Sequence, residues 1–223
     1  MRADFHIHTD VSPDSSMSPR ALVHACIREG LGTIAVTDHH TIQGALAVRD
    51  AAPFPVIIGA EFRAAEGEII GLFLEKDIPR GLTAMETVMR IKDQGGIVQI
   101  PHPFDRFRRK HITEEALIQV LPHVDIIEAF NSRTTLKGDI MRGVDFIRQH
   151  ATERHIVPTG VTDAHTPFEI GNAYVEIPEY EGPVAFLEAL RHGRIVGHRT
   201  TPLVHFSTRW TVLKKKALRR FQG

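Results

Sequence analysis

The chain has 223 residues, 42% hydrophobic and 24% charged, which is typical of a globular domain and excludes collagen, coiled coil and wholesale disorder. Lysine plus arginine (27) equals aspartate plus glutamate (27), so net charge gives no indication for or against nucleic-acid binding. The single cysteine, Cys26, excludes an internal disulfide and a thiolate metal cluster, and it is typical of a reducing compartment such as the cytoplasm. The unusual count is 14 histidines.

Short runs rich in β-branched residues alternate along the chain with segments of helical periodicity. Nine such runs predict strands at 3–6, 33–37, 55–60, 68–74, 97–101, 125–129, 156–159, 173–177 and 194–197. Ser18 before Pro19 is a typical helix start, and Gly30 ends that helix. Thr83 with Glu86 predicts a capping box. Three further helices are predicted: one that begins after Thr113, one over residues 183–193 and one over residues 209–220.

The apolar runs are too short to span a bilayer, and the first ten residues lack the apolar segment of a signal peptide, so we expect no membrane association. The β–α alternation with short loops predicts a mostly parallel sheet in a single domain over 1–223. We expect the basic segment 209–223 to dock on this domain as a helix, through an apolar stripe of Trp210, Leu213, Ala217 and Phe221.

Polar side chains stand at or just after the carboxyl ends of six predicted strands. They are His6 and His8, Asp38 and His39, Glu61, His102, Glu128, and Asp163 with His165. An open sheet concentrates its site at one switch point, whereas a barrel gathers side chains from many strand ends at its C-terminal face. This distribution therefore favours a TIM-barrel-like (β/α) barrel.

These residue types are ligands for divalent cations. His6 and His8, at i and i+2 of a strand, point to the same face, and the two oxygens of Glu61 could bridge two cations. Each motif alone has an ordinary alternative: a half-exposed histidine pair, a turn residue at Asp14, a solvent-facing strand start at Glu68. Together they offer more nitrogen and oxygen ligands than one ion can take.

Charge gives a second argument for bound cations. Five carboxylates would converge, and they cannot all stay ionised without compensation. They are Asp14, Asp38, Glu61, Glu68 and Asp163. Two or three divalent cations would compensate them, and oxygen with imidazole ligands favours Mn, Zn or Fe, with Mg also possible. Such a cluster is suited to hydrolysis of a phosphate ester by metal-activated water.

The order H-x-H, T-D-H, G-x-E, P-H-P and D-x-H resembles the PHP family (polymerase and histidinol phosphatase domains) from about Ala3 to Ile177. The resemblance implies a distorted seven-stranded barrel with a trinuclear metal site that hydrolyses phosphomonoesters or phosphodiesters. It implies three ligand groups: His6, His8, Glu61 and Asp163; Glu61, Glu68 and His102; and Asp14, His39 and His165. We expect catalysis to depend most directly on Asp38, His39, Glu61 and Asp163, with Asp38 orienting a neighbouring ligand.

One residue departs from the family pattern, because many relatives have histidine where Glu68 stands. A carboxylate there either favours Mn or Mg or leaves the second site weak. The family's Glu-x-x-Asn feature is matched by Glu128 and Asn131. Arg133 nearby is either a phosphate ligand or a surface arginine.

The basic segment after His102 bears on the substrate. Guanidinium groups suit phosphate oxygens, although a solvated loop is the alternative. We expect phosphate contacts from Arg106, Arg108, Arg109, Asn131 and Arg133. The expected partner is a small phosphorylated molecule, a nucleotide or a short oligonucleotide, with no obligate protein partner.

Three other functions remain open. A 5′-to-3′ exonuclease would need aromatic platforms for stacking, and only 7% of the residues are aromatic. An amidohydrolase of the same barrel class would often bridge its metals by a carboxylated lysine, for which Lys76 is poorly placed beyond Leu74. A non-catalytic metal-binding regulatory module is the third.

Overall fold

The computed structural model describes residues 1–108, 110–154, 156–201 and 204–221. These residues form nine strands, seven α-helices and one short 3-10 helix, Leu121–His123. The strands are β1 (Arg2–Asp4), β2 (Leu31–Val36), β3 (Val56–Ala64), β4 (Gly67–Leu72), β5 (Ile97–Ile100), β6 (Ile126–Asn131), β7 (Val157–Val161), β8 (Ala173–Glu176) and β9 (Arg194–Gly197). The helices are α1 (Pro19–Glu29), α2 (Gln43–Ala51), α3 (Ala84–Lys92), α4 (Glu114–Val120), α5 (Lys137–Arg154), α6 (Gly182–Arg191) and α7 (Val204–Phe221).

The strands form one sheet in the order β7-β6-β5-β4-β3-β2-β1-β8-β9. Strand β4 pairs antiparallel with both β3 and β5, and β8 pairs antiparallel with β1 and β9, whereas the other pairs are parallel. The resemblance implies a barrel of seven strands, and this is wrong, because the described residues form a sheet of nine. The turn between Ala64 and Gly67 is too short for a helical crossover, so β4 must run back beside β3.

The sheet curves into a nearly closed barrel. Just beyond β1 and β7, the backbone N–H of His8 donates to the carbonyl of Ala164 at 2.9 Å, and Ile7 and Ala164 form a parallel bridge. Strand β9 also approaches β7, where a Cβ on Gly160 would lie 2.4 Å from Ile195 Cγ2. Glycine is required at this close approach. The sequence predicts a distorted, TIM-barrel-like barrel, and the reversed strands β4 and β8 distinguish this sheet from the all-parallel sheet of a TIM barrel.

Several helix ends follow the sequence signals. Ser18 Oγ accepts a hydrogen bond from the backbone N–H of Ala21, and Gly30 ends α1 in the left-handed region at φ 69°. Helix α3 begins at a capping box formed by Thr83 and Glu86. Helices α2 and α5 were not predicted by the end signals, and α2 begins without a side-chain cap.

Buried aromatic residues fix the strand that leads into the site. Phe5 packs edge-on against Phe186 of α6, with ring centroids 4.9 Å apart, and both rings are fully buried. Burial of each ring contributes about 1.5–3 kcal/mol, which holds the end of β1 directly before His6.

The C-terminal helix α7 contacts the barrel, but not through the expected stripe. Trp210 is 71% exposed and Leu213 is 61% exposed, and Ala217 is also exposed, so the prediction that this stripe packs on the barrel is wrong. The side chain of Phe221 lies outside the described residues. Thr208 and Lys215 make the contacts instead. In the described part of the chain, every helix is too short or too polar to cross a membrane.

Candidate metal centre

The nine predicted ligands converge at one end of the barrel. His6 and His8 follow β1, His39 follows β2, and His102 follows β5. Asp163 and His165 follow β7, Glu61 lies within β3, Glu68 begins β4, and Asp14 lies in the loop before α1. Because β4 is reversed, its first residues lie at the same edge as the last residues of its neighbours. This reversal brings Glu68, only 4% exposed, into the cluster.

The first group contains two imidazoles and two carboxylates. Asp163 Oδ1 lies 3.6 Å from His6 Nε2 and 3.5 Å from His8 Nε2. Glu61 places one oxygen 3.7 Å from His6 Nε2 and the other 3.5 Å from His8 Nε2. Burial opposes ionisation of Asp163, but Arg108 and His6 hold its pKa well below its ordinary value. Three of these side chains, His6, His8 and Glu61, place ligand atoms close enough together to hold one cation.

The second group shares Glu61 with the first. His102 Nε2 lies 3.4 Å from Glu61 Oε1 and 3.9 Å from Glu68 Oε2. Burial and the nearby charge of Glu61 raise the pKa of Glu68 above its ordinary value. A divalent cation between these groups would relieve that repulsion, since it favours the ionised carboxylates.

The third group joins an acidic loop to two histidines. Asp14 Oδ2 lies 3.2 Å from His39 Nε2 and 3.4 Å from His165 Nε2. Burial alone would lower the pKa of His39, but the carboxylates of Glu61 and Asp14 raise it to about 9. Burial and the Arg133 guanidinium lower the pKa of His165 to about 4. His165 is therefore neutral near pH 7, as metal ligation requires.

Unsatisfied polar atoms show that cations fit this cluster. Within the described part of the chain, Glu61 Oε1, Asp163 Oδ1, Asp14 Oδ1 and both ring nitrogens of His102 are buried and make no hydrogen bond. A buried polar group without a partner costs about 1–3 kcal/mol, so their concentration in one cluster indicates a ligand. Among the described residues, four sets of side chains bring their ligand atoms within 4.8 Å of one another and could hold an ion: His6, His8 and Glu61; His6, His102 and Asp163; His39, Glu61 and Glu68; and His8, His39 and His165. The first set lies within one of the three groups that the resemblance implies, whereas the other three combine residues of different groups. Oxygen and imidazole without sulfur suit Mn, Zn or Fe.

Backbone strain coincides with two of the ligands. His102 has φ 28° and Asp163 has φ 56°, in the region that non-glycine residues avoid. Such conformations cost of order 1–3 kcal/mol each and persist where the surroundings impose them, commonly at functional sites. At His102 the flanking Pro101 and Pro103 restrict the backbone, as the sequence predicted.

Glu128 belongs to none of the three groups, but it binds His6 of the first group and His102 of the second. Its Oε1 accepts hydrogen bonds from His6 Nδ1 at 2.7 Å and Gln99 Nε2 at 3.0 Å. Its Oε2 accepts from the backbone N–H of His102 at 2.8 Å and from Asn131 Nδ2 at 2.9 Å. The His6 tautomer that donates from Nδ1 leaves Nε2 free to face the cluster. Sequence reasoning missed Gln99, which has no motif of its own.

Asp38 holds the loop that carries the neighbouring ligands. It accepts hydrogen bonds from the backbone N–H of Thr9 at 2.8 Å and from Ser12 Oγ at 2.5 Å. Ser12 Oγ also lies 3.3 Å from His8 Nδ1 and accepts from the backbone N–H of His39 at 3.0 Å. A Cβ on Gly44 would lie 1.8 Å from Asp38 Oδ2, so α2 requires glycine there.

A cavity of about 640 Å³ opens over the ligands and is lined by cationic side chains. The Arg108 guanidinium forms an ion pair with Asp163 Oδ2, and its Nε lies 3.5 Å from Asp105 Oδ2. Lys110 Nζ lies 3.8 Å from Glu68 Oε1. The lining residues are His8, Asp14, His39, Glu61, Glu68, Phe107, Arg108, Lys110, Arg133, Thr135, His165, Thr208 and Arg209.

The other residues predicted to contact phosphate lie in different places. Arg133 is buried and lies at the cavity wall, where its Nη1 donates to the carbonyl of Asp163 at 3.4 Å and contacts His165 Nδ1. Asn131 is buried and donates to Asp163 Oδ2 at 3.2 Å, which places it behind the ligands. Arg106 pairs with Asp139 at 2.8 Å and is not among the described residues that line the cavity. Arg109 lies outside the described residues.

Comparison with known families matches this arrangement. A family model described as "PHP domain" matches residues 4–177. A protein of Methanocaldococcus jannaschii described as uncharacterized is 30% identical over 202 residues, covering 86% of this chain and 79% of its own length. A second such protein of that organism is 42% identical over 117 residues, and the match covers 47% of this chain and 68% of the relative.

Solved structures share the fold at low identity. A Bifidobacterium adolescentis protein, assigned provisionally as a metal-dependent phosphoesterase, has TM-score 0.60 and 17% identity, covering 74% of this chain and 88% of its own. A Chromobacterium violaceum amidohydrolase with bound sulfate has TM-score 0.61 and 15% identity, and the match covers 88% of this chain and 98% of that structure. Endonuclease Q, in complex with a duplex carrying an abasic lesion, has TM-score 0.66 and 14% identity, covering 90% and 60%.

Proposed function

This chain belongs to the PHP domain family, and we propose that it is a metal-dependent phosphoesterase. Its substrate is a phosphomonoester or phosphodiester of a small molecule, a nucleotide or an oligonucleotide end. The observation that carries the proposal is a cluster of overlapping sets of ligand atoms beside a cavity that Arg108, Lys110 and Arg133 also line.

The charges of the site match a phosphate ester better than a neutral substrate. The carboxylates that line the cavity belong to the ligand groups, whereas the other charged side chains that line it are cationic: Arg108, Lys110, Arg133 and Arg209. A guanidinium presents paired donors to phosphate oxygens, and an ammonium acts as a point charge. A volume of about 640 Å³ falls in the range of small-molecule sites.

Each chain residue then has a separate task in hydrolysis. Divalent cations, when bound, supply a water of lowered pKa and stabilise the charge that develops on phosphate oxygens. Glu61 belongs to two ligand groups and fixes their separation, while Glu128 fixes the His6 tautomer. Arg108 holds a phosphate oxygen and neutralises negative charge.

A second candidate is cleavage at the end of a nucleic-acid strand, and Phe107 favours it. This ring lines the cavity and is 65% exposed, so it offers a stacking face for a base beside the ligand groups. Amide hydrolysis has less support, because Lys76 is exposed and is not among the described residues that line the cavity.

The test is a substrate screen with the metal-loaded protein. It includes p-nitrophenyl phosphate, bis-p-nitrophenyl phosphate, nucleotides, 5′-labelled oligonucleotides and a panel of cyclic amides. We expect phosphate ester hydrolysis that requires Mn²⁺, Zn²⁺ or Fe²⁺. Turnover of amides with no phosphate ester cleaved would overturn the proposal.

Arg108→Met tests the role of the cavity wall. Loss of a charged hydrogen bond to substrate costs about 1.5–3 kcal/mol, which is roughly 10- to 150-fold in kcat/KM. Arg90→Met on the exposed face of α3 removes the same charge far from the ligands and serves as the matched control. Equal kcat/KM for both variants would exclude Arg108 from substrate binding.

A further inference from the structure

The ammonium of Lys215 in α7 is bound to the loop that carries a metal ligand. Lys215 Nζ donates hydrogen bonds to the backbone carbonyls of Asp10, Ser12 and Ser15, each at 2.6 Å. Helix α7 lies beyond residues 4–177, the segment matched by the family model. This contact is therefore made by a part of the chain outside the segment that the family model matches.

The loop held by Lys215 fixes the position of Asp14. Ser12 and Ser15 flank Asp14, and Lys215 holds the carbonyls of both. The side chains of the same two serines bind the barrel. Ser12 Oγ donates to Asp38. The hydroxyl of Ser15 lies 2.9 Å from each of two carbonyl oxygens, those of His8 and His165, and donates to them. The loop is thus held from the barrel on one side and from α7 on the other.

A second contact ties α7 to the other side of the same ligand group. Arg133 donates to Thr208 Oγ1 at 2.5 Å and to the carbonyl of Val204 at 3.4 Å. The same guanidinium contacts His165 Nδ1 through its Nη1. Helix α7 therefore contacts the surroundings of both Asp14 and His165, which lie 3.4 Å apart.

We propose that α7 is a structural part of the third ligand group and that Lys215 is its positioning residue. The inference rests on the proposed function only in taking the ligand groups to hold cations. An ammonium has three N–H donors, and three converging carbonyls suit it. Without it these carbonyls turn to water and the loop moves more freely, so Asp14 no longer stays within reach of His39 and His165.

Cobalt titration of the metal-stripped full chain tests this directly. Visible absorption of Co²⁺ reports each ligand group without any substrate. We expect the wild type to take up three equivalents, and Lys215→Met to bind one of the three about 10- to 100-fold more weakly while the other two are unchanged. Lys214→Met and Lys216→Met remove the same charge from exposed positions of α7 and should titrate as wild type.

The outcomes separate a positioning role from simple packing. If Lys215→Met titrates as wild type, or if the wild type takes up no third equivalent, the proposal is overturned. Circular dichroism checks folding, and Lys215→Gln carries the same prediction if the methionine variant does not fold. A protein that binds three Co²⁺ but hydrolyses no phosphate ester would contradict the proposed function and leave this inference standing.

Discussion

Glu128 provides the sharpest test of how the ligands are oriented, through the substitution Glu128→Gln. Four donors converge on its two oxygens at 2.7–3.0 Å, and a carboxylate accepts from all of them. An amide of the same size has one oxygen, which must face the backbone N–H of His102, because that donor cannot change. The amide nitrogen then faces His6 Nδ1.

This orientation reverses the tautomer of His6. The amide N–H donates to His6 Nδ1, so the ring proton moves to Nε2, the atom that faces Glu61 and Asp163. Gln99 can rotate its own amide to match, and Asn131 still faces an oxygen, so the metal-free protein keeps most of its stability. Metal binding must then restore the other tautomer and leave a buried donor unpaired, at about 1–3 kcal/mol. We therefore expect roughly 5- to 150-fold weaker binding of one cation.

Competition with a fluorescent chelator measures this affinity, and thermal unfolding of the metal-free protein measures stability. Glu115→Gln on the exposed face of α4 makes the same chemical change far from the ligands and serves as the control. Unchanged metal affinity of Glu128→Gln, within twofold of wild type, would refute the assignment of Glu128 as the residue that orients His6.

Three further predictions follow from the cluster. Removing metal with EDTA should abolish phosphate ester hydrolysis and lower the melting temperature. The melting temperature falls because a bound cation at 100 times its dissociation constant stabilises the fold by about 2.7 kcal/mol. Full activity after exhaustive removal of metal would contradict this prediction. His8→Ala and Asp163→Ala should lose turnover yet stay folded in metal-free buffer, as circular dichroism would check; near-wild-type rates would show the ligand assignment to be wrong. Since the pKa of His39 is about 9, this imidazole carries a proton below that pH and a cation must displace it, so calorimetry should show affinity rising up to about tenfold per pH unit between pH 7 and 9. An affinity that is flat over this range would exclude His39 as a ligand.

Local signals in the sequence predicted much of the fold. The capping residues Ser18 and Thr83 begin α1 and α3 in the structure because their hydrogen bonds need only residues within one helical turn. Each predicted strand overlaps an observed one, since β-branched runs identify strands locally. The family motifs likewise contain seven of the nine predicted ligands, and Asp14 and Glu68 lie outside them.

Features that depend on distant contacts could not be predicted in this way. The residues around Glu68 leave open whether it is a ligand or an exposed strand start, and only the reversal of β4 decides that it is buried beside His102. Arg133 was considered as a phosphate ligand or a surface arginine, yet its partner Thr208 lies 75 residues away. The apolar stripe of α7 suggested packing, whereas a single lysine makes the contact with the ligand loop.

Anomalous diffraction from crystals of the chain grown with Mn²⁺ tests directly whether the histidines and acids gathered from seven segments hold cations. We expect two or three peaks, with Glu61 shared by at least two and His6, His102 and His39 each bound to one. Diffraction that shows no peak in this pocket at saturating Mn²⁺, and none with Zn²⁺ or Fe²⁺, would contradict the account.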